Sequence, residues 1–152
     1  MKFVAKHDID APISVVWGHL SDFAYFEKLA RTRNVHIETQ HRGGRVDVGT
    51  VWNLKFVLRG KPRTASVEIV EIQPEEALDC DLHSPNIGGG LRFELIRLAP
   101  NRTRLRMLAD VRPKTLTARL MIQSLRFAKG RTQRKLDAVL IKFADHITKQ
   151  TA

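Results

Sequence analysis

GTVWNLKFVLRGKPRTASVEI, residues Gly49 to Ile69, is the stretch whose pattern decides the fold. Trp52, Leu54, Phe56 and Leu58 alternate with Asn53, Lys55 and Arg59. Successive side chains of an extended chain point to opposite sides, so this period of two marks a strand with one face buried and the other in water. Arg59-Gly60-Lys61-Pro62 then supplies turn residues, after which Ala65, Val67 and Ile69 resume the alternation. Two strands joined by so short a link pair antiparallel, because parallel pairing needs a crossover of roughly a dozen residues.

The same period extends outward on both sides. Upstream, Val35 and Ile37 begin a strand that Gly43-Gly44 closes. Downstream, Pro74-Glu75 makes a turn, and Leu78, Cys80 and Leu82 alternate with Asp79, Asp81 and His83. Ser84-Pro85-Asn86 and Gly88-Gly89-Gly90 read as a loop before Leu91, Phe93 and Leu95. Pro100-Asn101 turns the chain again, into Leu105, Met107, Ala109 and Val111 alternating with Arg104, Arg106 and Asp110. At the N-terminus Phe3, Ala5, His7 and Ile9 alternate until Ala11-Pro12, where proline ends a ladder and suits the first turn of a helix. Val15, Val16, Trp17 and Leu20 then fall at helical spacing, and Ser21-Asp22 offers a new cap before Phe23, Phe26, Leu29 and Ala30. Two short helices are expected there.

About seven strands, each with one apolar face, require a cover. The segment from Thr115 to Gln150 provides it as one long helix. At about 100° per residue, Met121, Leu125, Ala128, Val139, Leu140, Phe143 and Ile147 fall within about 80° of Leu136 and form a single stripe. Only Gly130 interrupts, at about 1 kcal/mol relative to alanine, and a bend is expected there. The expected fold class is α+β: a curved antiparallel sheet, two short helices and a long C-terminal helix, in a single domain over residues 1–152.

Composition agrees. Of 152 residues, 43% are hydrophobic and 28% charged, which is globular and not disordered. No apolar run reaches the roughly 18 residues that span a bilayer, and the charged N-terminal segment lacks the apolar core of a secretory signal, so a cytoplasmic protein is expected. The lone Cys80 excludes an internal disulfide, a multi-cysteine metal site and a CxxC redox pair. The six histidines show no metal-ligand spacing, with His36 and His41 on opposite faces of one strand; neither a metal nor a cofactor is implied. Sequences of the GxSxG, P-loop and GxGxxG kinds are absent. The net charge of +10 is concentrated late: from Pro113 to Ala152, nine Lys and Arg face only Asp137 and Asp145.

Several junctions carry a resemblance. Ile9-Asp10-Ala11-Pro12 leading to Val16-Trp17, then Leu20-Ser21-Asp22-Phe23, Gly49-Thr50-Val51-Trp52 and Glu71-Ile72-Gln73-Pro74-Glu75-Glu76-Ala77-Leu78 resemble the START and polyketide cyclase/dehydrase superfamily, SRPBCC, in order and spacing. The likeness spans roughly Lys2 to Ile147. It departs after Tyr25-Phe26, where Glu27-Lys28-Leu29 stands in place of the family's proline and tryptophan. The resemblance implies a helix-grip fold with a cavity between the sheet and the long helix. Members bind sterols, lipids, quinones, hormones or polyketides, and some catalyse cyclisation or dehydration, with no universal catalytic residue.

The inward phase nominates ligand-binding residues: Trp52, Leu54, Phe56, Val67, Ile69, Leu82, Phe93, Leu95 and Met107 from the strands, with Met121 and Leu125 from the helix. Most such residues are simply core, since pockets use a minority of the apolar interior. Lys129 lies near the centre of the stripe, with Thr132 on its other side. It is either an anchor for a carboxylate or phosphate, or a lysine whose stem snorkels to solvent. His83 and Asp110 fall on the outward phase, and Cys80 on the inward phase as a small buried hydrophobe. No catalytic residue is nominated. Arg119, Arg126, Lys129, Arg131, Arg134 and Lys135 spread around the helix as a solvated surface would, while Phe127, Leu116 and Leu120 make a second apolar patch.

Three functions stand open. The first is binding of a small hydrophobic or amphipathic molecule between sheet and helix, by a monomer or homodimer. The second is a cyclase or dehydratase in the same pocket. The third is an adaptor whose basic helix engages RNA, a ribosome or an anionic membrane, with the steep salt dependence that such binding carries.

Overall fold

The computed structural model describes residues 1–40 and 45–151. The turn at Gly43-Gly44 and the placement of His41 lie outside them. In chain order the elements are β1 (Lys2–Ile9), α1 (Ile13–Leu20), α2 (Phe23–Thr32), β2 (His36–Gln40), β3 (Val51–Leu58), β4 (Lys61–Gln73), β5 (Ala77–His83), β6 (Ile87–Ala99), β7 (Arg102–Pro113), α3 (Leu116–Leu125) and α4 (Lys129–Thr151). The strands form one antiparallel sheet in the order β1-β7-β6-β5-β4-β3-β2. From β2 to β7 each strand lies beside its predecessor, and β1 closes on β7. This is the α+β arrangement that the periodicity predicts and the helix-grip that the resemblance implies.

Register fixes which side chains share the inner face. Trp52 opposes Val67, which opposes Leu82, and the row continues to Gly89 and Val111. A second row runs Ile69, Cys80, Leu91, Ala109 and Phe3. A bulge in β4 between Ile69 and Glu71 shifts the phase, so Ile72 and Ile69 both face inward while Val70 is exposed. Against this face pack Val16 and Leu20 of α1 and Leu140, Ala144 and Ile147 of α4. Two buried hydroxyls stay satisfied: Thr103 donates to the Ala11 carbonyl at 2.9 Å, and Thr50 accepts from the Asp47 N–H at 3.0 Å.

Two expectations are corrected. Gly88-Gly89-Gly90 is not a loop but the first turnless stretch of β6, paired with both β5 and β7. A Cβ on Gly89 would sit 1.9 Å from the Asp110 carbonyl oxygen, so the glycine permits a backbone approach that no other residue allows. The C-terminal cover is two helices, not one. Around Arg126–Ala128 the N–H groups bond three residues back, to Gln123, Ser124 and Leu125, and the helix is broken there instead of bending at Gly130. Gly130 lies within the first turn of α4.

Candidate functional site

The inner face is not uniformly sealed. Ile69, Leu78, Leu95, Leu105 and Met107 are buried, whereas Leu54, Phe56, Val67, Leu82, Leu91 and Phe93 are only half-buried. Across from them Leu136 and Phe143 of α4 are also half-buried. The less buried residues run from β3 and β4 through Leu82 to Leu91 and Phe93 of β6, and leave incompletely buried apolar surface on the inner face. Aromatic contacts line it: Phe23 meets Trp52 at 5.5 Å between ring centroids, and Phe26 meets Phe143 at 5.9 Å.

The residues that replace the family's proline and tryptophan fasten this wall. The Trp52 indole N–H donates to Glu27 Oε1 at 2.7 Å. Thr39 donates to the same oxygen at 3.4 Å, and Arg31 stands 3.9 Å from Oε2. With its lone pairs so engaged, Glu27 pins α2 to β3 and β2. Spacing held the signal, since Glu27 lies four residues after Phe23 on the same side of α2.

Arg63 is the polar residue in this apolar setting that the sequence reading missed. It opposes Phe56 in register and shares the phase of Ala65 and Val67, so it projects from the inner face near the end of β4. Its Nε is buried and has no hydrogen-bond partner among the described residues. Its position two residues before Ala65 was the available signal.

The helix nominees fare differently. Leu125 is half-buried, but Met121 is 41% exposed and Lys129 is exposed. The buried residues are Ala118 and Ile122 on α3 and Leu140, Ala144 and Ile147 on α4, the latter three an arc displaced by about 50° from one centred on Leu136. Met121 and Val139 both lie about 60° to the far side of that centre, which puts them in water. Lys129 opens α4 beside the break, ahead of Gln133, whose side chain ties this end of the helix to the Val4 carbonyl at 2.8 Å.

Cys80 is buried on the inner face, and burial, reinforced by Asp79 and Asp81, pushes its thiol up to about 11. His83 is exposed, and Asp110 lies on the outer face 3.5 Å from Arg112. That face carries paired charges throughout: Arg92 with Asp79 and Glu94, Arg106 with Glu94, Arg104 with Asp8. An open depression of about 390 Å³ lies there, bounded by Val4, Lys6, Ile96, Arg104 and Arg106, and a second of about 420 Å³ is lined by residues of both phases, among them Val70, Asp79, Cys80, Leu91 and Asp110. Among the described residues no group of His, Cys, Asp and Glu is placed to hold a metal, and no helix is long and apolar enough to cross a membrane.

No family model matches the sequence, and no curated protein matches it. Solved structures do. An aromatase/cyclase from Streptomyces sp. R1128 superposes with a TM-score of 0.74 at 15% identity, over 100% of this chain and 96% of that one. The chain shares the helix-grip fold of these structures. Norcoclaurine synthase from Thalictrum flavum, in complex with dopamine and hydroxybenzaldehyde, gives 0.70 at 11% identity over 98% and 87%. A START superfamily protein from Mycobacterium smegmatis gives 0.55 at 15% over 91% and 98%. At these identities the SRPBCC likeness concerns architecture, and the chemistry has to be argued from this chain's own residues.

Proposed function

We propose that the incompletely buried surface of the inner face forms a cleft in which the chain binds a small amphipathic acid, its apolar body against Leu54, Val67, Leu82 and Phe93 and its carboxylate on Arg63. The observation that carries this reading is the buried, unpartnered Nε of Arg63 on an otherwise apolar face. A guanidinium N–H removed from water without an acceptor is costly, and a carboxylate is the acceptor whose geometry it fits. Desolvation of the apolar body supplies affinity, and the charged hydrogen bond fixes orientation. The similar norcoclaurine synthase, which holds two small aromatic molecules, supports the capacity of the architecture for such guests.

The test is a titration with dodecanoate and dodecanol, followed by tryptophan emission from Trp52 on the cleft wall. The acid should bind at least about tenfold more tightly than the alcohol, the worth of one charge-assisted hydrogen bond. Arg63→Met should abolish that preference and leave dodecanol binding unchanged. Equal binding of both by the natural protein would overturn the anchor, and binding of neither would overturn the cleft.

A further inference from the structure

The break between α3 and α4 holds the most exposed large apolar side chain of the described residues. Phe127 is 96% exposed, with Leu116 72% and Leu120 59%. Leu116 and Leu120, four residues apart, share the side of α3 opposite the buried Ala118 and Ile122 that seat α3 on β7, and Phe127 follows in the break two residues past the end of α3. Thr115 caps α3 by accepting from the Ala118 N–H at 3.1 Å, so the exposed side belongs to a formed helix. Single exposed leucines need no explanation, but a contiguous row ending in a wholly exposed phenylalanine does.

The charge around the row is of one sign. Between Asp110 and Asp137 the chain contains no acidic residue and eight Lys or Arg. Arg119 and Arg126, three and ten residues after Leu116, edge the apolar row and are exposed, as is Arg131 beyond the break. None of the three has an ion-pair partner among the described residues.

We propose that this face docks the protein on an anionic lipid bilayer, with Phe127, Leu116 and Leu120 inserted among the acyl chains and the arginines against the headgroups. An apolar row that dips below a flat anionic surface while its cationic edges stay at that surface is the arrangement such binding requires. A second copy of the chain fits worse, because a two-fold contact would set arginines against arginines. RNA fits worse as well, since only one of the three apolar side chains is aromatic and able to stack on a base. This inference is independent of what the cleft holds.

The experiment is flotation of the full chain with phosphatidylcholine vesicles, with and without phosphatidylserine, alongside Phe127→Ser and the pair Arg119→Gln with Arg126→Gln. The natural protein should partition onto the phosphatidylserine vesicles at least about tenfold better than onto phosphatidylcholine alone. Phe127→Ser should lose about tenfold of that binding, the worth of one buried aromatic ring, and the arginine pair a comparable factor. The Phe127 side chain stands in solvent, so its replacement leaves the fold intact, which circular dichroism verifies. Three results would each overturn the proposal: no vesicle binding, binding indifferent to phosphatidylserine, or binding unchanged by Phe127→Ser. Self-association or RNA binding that depends on Phe127 without vesicle binding would assign the face to that partner instead.

Discussion

The two faces of the one sheet are made from alternate residues of the same strands, yet they solve opposite problems. On β7, Leu105 is fully buried while its neighbours Arg104 and Arg106 pair with Asp8 and Glu94 in water. On β4, Ile69 is fully buried, and the neighbouring Glu68 points the other way. Much of the outer face's charge is paired among its own side chains. The inner face buries Ile69, Leu78, Leu95, Leu105 and Met107 but keeps half-buried apolar surface from Leu54 and Val67 across to Phe93, and a guanidinium nitrogen without an acceptor. A face that is finished has no need of a ligand, and one that is unfinished in a single region indicates where a ligand belongs.

The contrast can be broken by mutation. Leu105→Ala, on the sealed part of the inner face, should cost about 2–5 kcal/mol in chemical denaturation. Ile96→Ala, the same kind of truncation on the outer face, should cost about half a kcal/mol or less. Equal costs would mean that the two faces are not distinct environments.

Titration sharpens the same contrast. The Cys80 thiol is raised by burial to about 11, from an ordinary value of 9.0. The folded state therefore holds its proton where the unfolded state has lost it, so stability is unaffected below pH 9 and falls as pH rises toward 11. The slope should approach about 1.4 kcal/mol per pH unit, relative to a Cys80→Ala variant. Thiol alkylation at neutral pH should likewise be slow until the protein is unfolded.

Smaller effects follow at the fastenings. Trp52→Phe removes the donor to Glu27 and leaves a half-buried carboxylate short of one partner, at about 1–3 kcal/mol by thermal or chemical denaturation. Arg104→Met should leave the melting temperature at neutral pH within measurement scatter, because its pair with Asp8 lies at the surface. Its effect belongs at low pH. The Asp8 carboxyl is held below the usual range, first by the hydrogen bond from Arg104, so whatever stability the pair contributes is present above the ordinary carboxylate pKa and is lost as pH falls through the lowered one.

The fold was legible because it depends on alternation, which the sequence states outright from Trp52 to Val111. What misled was local chemistry overruled by pairing. Three consecutive glycines look like a loop, but Gly89 is there because the Asp110 carbonyl leaves no room for a side chain. The break at Arg126–Ala128 carries no proline and no helix-stopping residue, and Gly130 drew the expected bend to the wrong place. Phase puts Trp52 and Val67 on the inner face, while Lys129 is exposed because it is the first residue of α4, beside the break. Arg63 gives no apolar signal in the sequence, although the phase that turns Val67 inward also points Arg63 inward.

The central claim is that the ligand lies on the inner face, and the most direct measurement is nuclear Overhauser contact between ¹³C-labelled dodecanoate and the protein's methyl groups. The account predicts contacts to Leu54, Val67 and Leu82, with the carboxylate carbon near Arg63. Contacts to Val4, Ile96 and Leu108 instead would place the ligand on the outer face and contradict it.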